Sequence, residues 1–264
     1  MNIYRRELKA HRKPLLIWSA CMLFLVAAGM GKYSSQLGTG LNINDLMQTM
    51  PAALQKFFGL GVLDLSVAVE YFGVLFTYIA LVAAVHAAML GAEIVSKEER
   101  DKTAEFLMAK PVSRARILTA KLAAALTNVL ALNLFTAAGS FGVLNYYSQG
   151  APFAGRWGML MAALLAVQAF FLATGVFFAS LTGKHSLATG AATGLLLLLF
   201  VIFVITDIFG RTDFLRYVTP FKFFDAKVLM AGKYENIYTV ITVLCVAAFV
   251  FFAYRFYRRR DLKV

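Results

Sequence analysis

The sequence predicts an all-α polytopic membrane protein with six transmembrane helices and both termini in the cytoplasm. Three observations carry that prediction. Only 15% of the 264 residues are charged and 60% are hydrophobic, whereas soluble chains carry roughly 25% charged residues. The apolar residues gather into repeated runs of about 20, and a helix of that length crosses the ~30 Å hydrocarbon core. The basic residues behind the net charge of +12 sit in short clusters beside those runs, which is how membrane orientation is encoded. The expected surrounding is therefore a lipid bilayer, and nucleic acid is not an expected partner.

The whole chain, 1–264, reads as one transmembrane domain. Residues 1–14 (MNIYRRELKAHRKP) form a basic amphipathic start in which Ile3, Tyr4 and Leu8 can share a helix face. Pro14 precedes the first span, about 15–31. That run begins too far in for a signal peptide and lacks a small-residue cleavage site, so a retained span is expected over a cleaved one. Residues 32–66 are polar and Gly-rich with one short helical piece: Thr49 is placed to cap it, Pro51 lies in its first turn and Gly59 can end it. Its Leu54, Phe57, Phe58 and Leu60 suit either a helix on the membrane surface or a partly ordered loop.

The second span, about 67–92, contains Glu70 and His86. Ionisable groups at membrane depth are candidates for function. Here Glu70 lies near the outer end and His86 within reach of inner interfacial water, so structural roles stand beside functional ones. The third span, about 117–146, carries Asn128 and Asn133, which suit interhelical hydrogen bonds better than substrate ligation. After a short loop comes the fourth span, about 157–181. A tight turn at Gly183-Lys184-His185-Ser186 leads to the fifth, about 187–206, where Gly190 and Gly194 form a Gly-x-x-x-Gly pair. Residues 207–236 are aromatic and irregular, which suits an outer interfacial or re-entrant hairpin. The sixth span, about 237–252, precedes the tail YRFYRRRDLKV.

An even number of spans puts both termini on one side. With that side inside, 18 of the 26 Lys and Arg lie inside while the 14 acidic residues divide evenly. The positive-inside rule then places the termini and residues 93–116 in the cytoplasm. One segment opposes it: 207–236 holds Arg211, Arg216, Lys222, Lys227 and Lys233, only partly offset by Asp207, Asp213, Asp225 and Glu235.

The chemistry of an enzyme is missing from the pattern. Each Gly-Lys pair is followed by Tyr or His rather than Ser or Thr, so no phosphate-binding loop is present. Neither His-Glu-x-x-His nor Gly-x-Ser-x-Gly occurs. The Glu98-Glu99 pair suggests an intramembrane glutamate protease, but position 103 is Thr where that chemistry needs Arg. Cys21 and Cys245 lie in apolar runs and suit inert thiols, and the three histidines show no metal-ligand spacing. No catalytic residue, metal or cofactor is expected on this chain.

Residues 93–121, EIVSKEERDKTAEFLMAKPVSRARILTAK, are the longest charged interruption. The second span can continue into them as a helix, with Glu93 and Lys97, and Glu98 and Lys102, spaced for i,i+4 pairs worth ~0.2–0.5 kcal/mol each. A short helix over Thr103, Ala104, Glu105, Phe106, Leu107, Met108, Ala109 and Lys110 has its acid early and its Lys last, matching the helix dipole. Pro111 stops it, and Ser113 caps the third span ahead of Arg114. The segment suits either a solvated loop or a rigid knob that presents Phe106 and Leu107 to a cytoplasmic partner.

The pattern Glu98-Glu99, Thr103-Ala104-Glu105-Phe106-Leu107, Pro111-Val112-Ser113-Arg114 and Lys121 resembles the cytoplasmic loop of permease subunits of type-two ATP-binding cassette exporters. The resemblance extends to the six-span layout, the amphipathic start and the aromatic region at 217–225. Lys102 departs from it, standing where the family usually has Gly. The resemblance implies a permease that carries no ATPase site and binds no cofactor itself. A separate ATP-binding cassette ATPase subunit would hold ATP and Mg, and a second permease copy would complete a dimer. Residues 103–111 would be the coupling helix on the ATPase, supported by Glu98, Glu99, Ser113 and Arg114. It further implies export of a hydrophobic or amphipathic substrate across a bacterial inner or plasma membrane. A secondary transporter using Glu70 or His86, and a non-transporting anchor or sensor, are the rival readings.

Overall fold

The computed structural model describes residues 3–38, 44, 48–59, 62–103, 112–209 and 215–259. Among these the regular structure is helical, with no β-strand. The helices are α1 Ile3–Gly38, α2 Ala52–Phe57, α3 Ala68–Arg100, α4 Arg114–Tyr147, α5 Ala154–Thr182, α6 His185–Phe209, α7 Pro220–Phe223, α8 Ala226–Met230 and α9 Asn236–Arg259. Six of them, α1, α3, α4, α5, α6 and α9, are long and apolar enough to cross a membrane.

The N-terminus differs from its expected form. The basic start and the first span are one unbroken helix with Pro14 inside it. Proline removes one backbone hydrogen bond, yet the buried stripe Glu7, His11, Ser19, Met22, Val26, Met30 and Tyr33 crosses it without losing helical phase. Pro14 itself is on the exposed side, so packing continues beneath it. The stripe also shows that the packed face of the first turns is centred on Glu7 and His11, with Tyr4 and Leu8 at its flanks.

The core forms around α3 and α5, which share the largest helix interface. Their backbones touch. A Cβ on Gly91 would stand 2.3 Å from the Leu172 carbonyl oxygen, and one on Gly175 2.3 Å from that of Ala88. Small residues at a crossing are what let membrane helices approach closely, because dispersion contacts replace the hydrophobic drive. The Gly190 and Gly194 pair does not play this part within the chain: nothing lies within 4 Å of a Cβ at either position. The α5–α6 turn is made by Gly183 in the left-handed region, φ +68°.

At the end of the bundle holding α2, α7 and α8, the aromatic segment folds inward. Phe221 meets Phe171 and Phe200, each at 5.3 Å between centroids, and Phe223 stacks on Tyr238 at 5.1 Å. Thr219 Oγ1 donates to the Leu199 carbonyl at 2.9 Å. Two of the five basic residues that opposed the topology are neutralised here. Lys222 Nζ lies 2.5 Å from Asp207 and 3.1 Å from Asp225. Lys227 pairs with Asp207 and donates to the Phe57 carbonyl at 3.2 Å. Burial alone would lower the Lys222 ammonium, but Asp225 and Asp207 outweigh it and hold it above the ordinary lysine value. The charges therefore tie α2, α6 and α8 together.

Gly175→Ala should force α3 and α5 apart and lower stability by about 1–3 kcal/mol, the usual cost of overpacking. Gly190→Ala should leave the melting temperature of the detergent-solubilised monomer unchanged. Equal effects of the two substitutions on thermal melting would contradict this crossing.

Candidate functional site

At the opposite end, three helices meet over a string of charges. Lys97 near the end of α3 pairs with Glu7 of α1. Arg6 bridges both carboxylates, with Nη2 3.0 Å from Glu7 Oε1 and 2.8 Å from Glu98 Oε1. Lys121 of α4 lies 2.5 Å from Glu98 Oε2 and also donates to the Ile94 carbonyl. The order Lys97, Glu7, Arg6, Glu98, Lys121 alternates in sign. Glu7 and Lys121 are 0% exposed, so neither is balanced by water. His11 adds a ring nitrogen 3.9 Å from Glu7.

These contacts replace the local pairs expected from spacing. Lys97 turns to Glu7 rather than to Glu93, whose partner is Arg100 at 3.3 Å. Glu98 turns inward to Arg6 and Lys121 rather than to Lys102. An i,i+4 pair on a wet surface is worth only tenths of a kcal/mol, whereas a buried charge needs a close counter-charge. Burial therefore decides the pairing. Glu98 was recognised from the pattern; Arg6, Glu7, Lys97 and the pairing of Lys121 were not, because their partners lie far apart in sequence.

The string sits beneath the connection from α3 to α4. The α3 helix ends in a Schellman motif: Thr103 N donates to the Glu98 carbonyl at 2.8 Å and Lys102 N to that of Glu99 at 3.3 Å. Lys102 takes the left-handed conformation, φ 53°. That is the position a glycine fills most readily, and here the turn forms with Lys in it. On the other side Ser113 caps α4, its Oγ accepting from Arg116 N at 3.3 Å. Arg114 Nη1 donates to the Arg258 carbonyl of α9 at 3.4 Å. Ala104, Glu105, Phe106, Leu107, Met108, Ala109, Lys110 and Pro111 lie outside the described residues.

The other candidate residues are dispersed. Glu70 is in the first turn of α3 at the far end, with Oε1 2.8 Å from Arg156 and Oε2 accepting from Asp64 N at 2.6 Å. His86 is buried with its ring 5.3 Å from Trp18. Asn128 donates to Ala124 of its own helix at 2.8 Å. Asn133 crosses to α5, donating to Gln168 Oε1 at 3.1 Å and to the Met161 carbonyl at 3.3 Å. His185, at the start of α6, meets Ser96 of α3 at 3.0 Å. No group of His, Cys, Asp and Glu able to hold a metal occurs among the described residues.

The fold and this site define a helical membrane protein in which charges from three spans meet beneath the α3–α4 connection. The chain belongs to the ABC-2 transporter family: the family model described as ABC-2 family transporter protein matches residues 1–262. A comparison with individually curated proteins finds no match. The chain is therefore a multi-pass membrane permease of an ABC transporter. As such it is the transmembrane subunit rather than the ATPase, and works with an ATP-binding cassette subunit.

Glu98→Gln should be the most damaging single change in the string, because it strands Lys121 without water or a close anion. The expected loss is about 3–5 kcal/mol. Adding Lys121→Met should recover most of the lost melting temperature. Additive losses in the double variant would show that the two side chains act independently.

Proposed function

We propose that this chain is the permease of an ATP-driven exporter in a bacterial inner membrane. It would work as a dimer, with residues 103–111 as the coupling helix docked on the ATPase. ATP and Mg belong to the partner. Both termini and the 93–116 segment face the cytoplasm, and the cargo is hydrophobic or amphipathic: a peptide, a lipid-like compound or a drug.

One observation carries the reading. The chain entering the proposed coupling helix leaves α3 through the Schellman turn at Lys102, and the chain leaving it enters α4 through the Ser113 cap. Glu98 and Lys121 join those two helices directly below, and Arg6 and Lys97 add α1. A displacement of the intervening segment by an ATPase would thus be delivered to three spans together. Orientation rests on the excess of basic residues at this end.

The direct test is co-expression with a candidate ATPase, followed by co-purification and measurement of ATP hydrolysis. Phe106→Asp should weaken assembly by at least about tenfold, as expected for an aromatic anchor worth ~2 kcal/mol or more. Unchanged assembly and unchanged hydrolysis would remove the coupling assignment.

Orientation has its own test. Lys233 is exposed at the end bearing α8, so a cysteine placed there in a cysteine-free background should react with a membrane-impermeant maleimide on intact cells. Protection of that cysteine, with labelling only after lysis, would reverse the topology.

A further inference from the structure

The inner end carries a second group of cations that the charge string does not use. Phe251, Tyr254, Arg255, Arg258 and Arg259 line a hollow of about 420 Å³ among the described residues. Their spacing is i, i+3, i+4, i+7 and i+8, so they form one face of α9. Along the helix that face changes from apolar Phe251, through amphipathic Tyr254, to three guanidinium groups. It is fixed to α4 at two points, by Tyr254 Oη 2.7 Å from Thr119 Oγ1 and by Arg114 on the Arg258 carbonyl at 3.4 Å.

Arg6, Lys97 and Lys121 each have a carboxylate against them. No such ion pair is made by Arg255, Arg258 or Arg259 among the described residues. Three convergent cations in a hollow repel one another and favour an anion with several acceptor oxygens, which arginine forks match well.

We propose that this face binds the headgroup of an anionic phospholipid. The phosphate lies among Arg255, Arg258 and Arg259, the glycerol region beside Tyr254, and an acyl chain along Phe251. Membrane lipid is favoured over soluble phosphate because the face continues into the apolar, exposed Phe251. A free phosphate would leave that side chain unused. Basic residues beside a span also orient it in the membrane, so the control must be an equally basic surface without the hollow. Lys9, Arg12 and Lys13, exposed on α1, supply it.

The test uses the full chain in nanodiscs of equimolar phosphatidylglycerol and phosphatidylcholine, with retained lipid identified by native mass spectrometry. Each basic residue near an anionic surface contributes about fivefold, so the wild type should retain phosphatidylglycerol at least about tenfold over phosphatidylcholine. The triple variant Arg255→Gln, Arg258→Gln, Arg259→Gln should lose that preference. The variant Lys9→Gln, Arg12→Gln, Lys13→Gln should keep it. Absence of a preference in the wild type overturns the proposal whether or not the variants fold. An equal loss in both variants would reduce the effect to general surface charge. Displacement of the retained lipid by millimolar inorganic phosphate would assign the hollow to a soluble anion instead.

Discussion

Charge buried without water must be matched by charge, and at the end of this bundle where α3 passes to α4 that constraint sets the positions of three helices. Glu7 offers both oxygens to cations from α1 itself and from α3. Glu98 does the same with α1 and α4. Remove α1 and two carboxylate contacts disappear while Lys97 loses its only close anion among the described residues. Moving α4 by one residue would swing Lys121 about 100° around its helix, away from Glu98. The register of α1, α3 and α4 is thus pinned by these charge contacts as well as by packing. Buried ion pairs are poor sources of net stability, and their value in this fold lies in specifying one arrangement.

The far end is built on the same logic with different parts. Asp207 and Asp225 share Lys222 and Lys227, and Lys227 also reaches carbonyls at the end of α2. Between the ends, where charge would be costliest, the helices rely on backbone contact at Gly91 and Gly175 and on the neutral Asn133–Gln168 bond. The most enclosed spans are α3, α4 and α5. α1, α6 and α9 are less enclosed: α1 exposes Leu16, Ile17 and Phe24, α6 exposes Leu187, Leu197, Leu198 and Val201, and α9 exposes Val243, Leu244 and Phe251. Surface open to lipid or to another subunit therefore lies on those three helices and on the outer face of α4.

The spans were legible because crossing a bilayer demands a long apolar run, a property each segment shows on its own. The site was legible only where its signal was local. Ser113 announced a cap by its place before the third span, and Glu98 stood out through the family pattern. Arg6 looked like part of the basic start and Lys97 like a local partner of Glu93, since nothing in the neighbouring residues reveals a partner some ninety positions away. Pro14 looked like a boundary because a proline ends most helices in water; the stripe from Glu7 to Tyr33 runs past it because its packed side is elsewhere. The glycines show a related limit. Gly190 and Gly194 have the familiar spacing within one helix, whereas Gly91 and Gly175 come together only across two.

Lys102 shows how these constraints meet. A left-handed lysine costs about 1–2 kcal/mol relative to glycine, and the turn forms nonetheless. Its two hydrogen bonds satisfy carbonyls at the end of α3 that would otherwise face the low-dielectric boundary. One of those carbonyls belongs to Glu98, whose side chain is already held by Arg6 and Lys121. Backbone and side chain of a single residue are thereby committed in opposite directions, outward to the turn and inward to the string. Motion of the turn cannot be absorbed by a rotation of Glu98 without breaking the contacts to α1 and α4. Lysine at position 102 therefore leaves the turn and its link to Glu98 intact, because Glu98 and the helices that grip it hold the end of α3 in place.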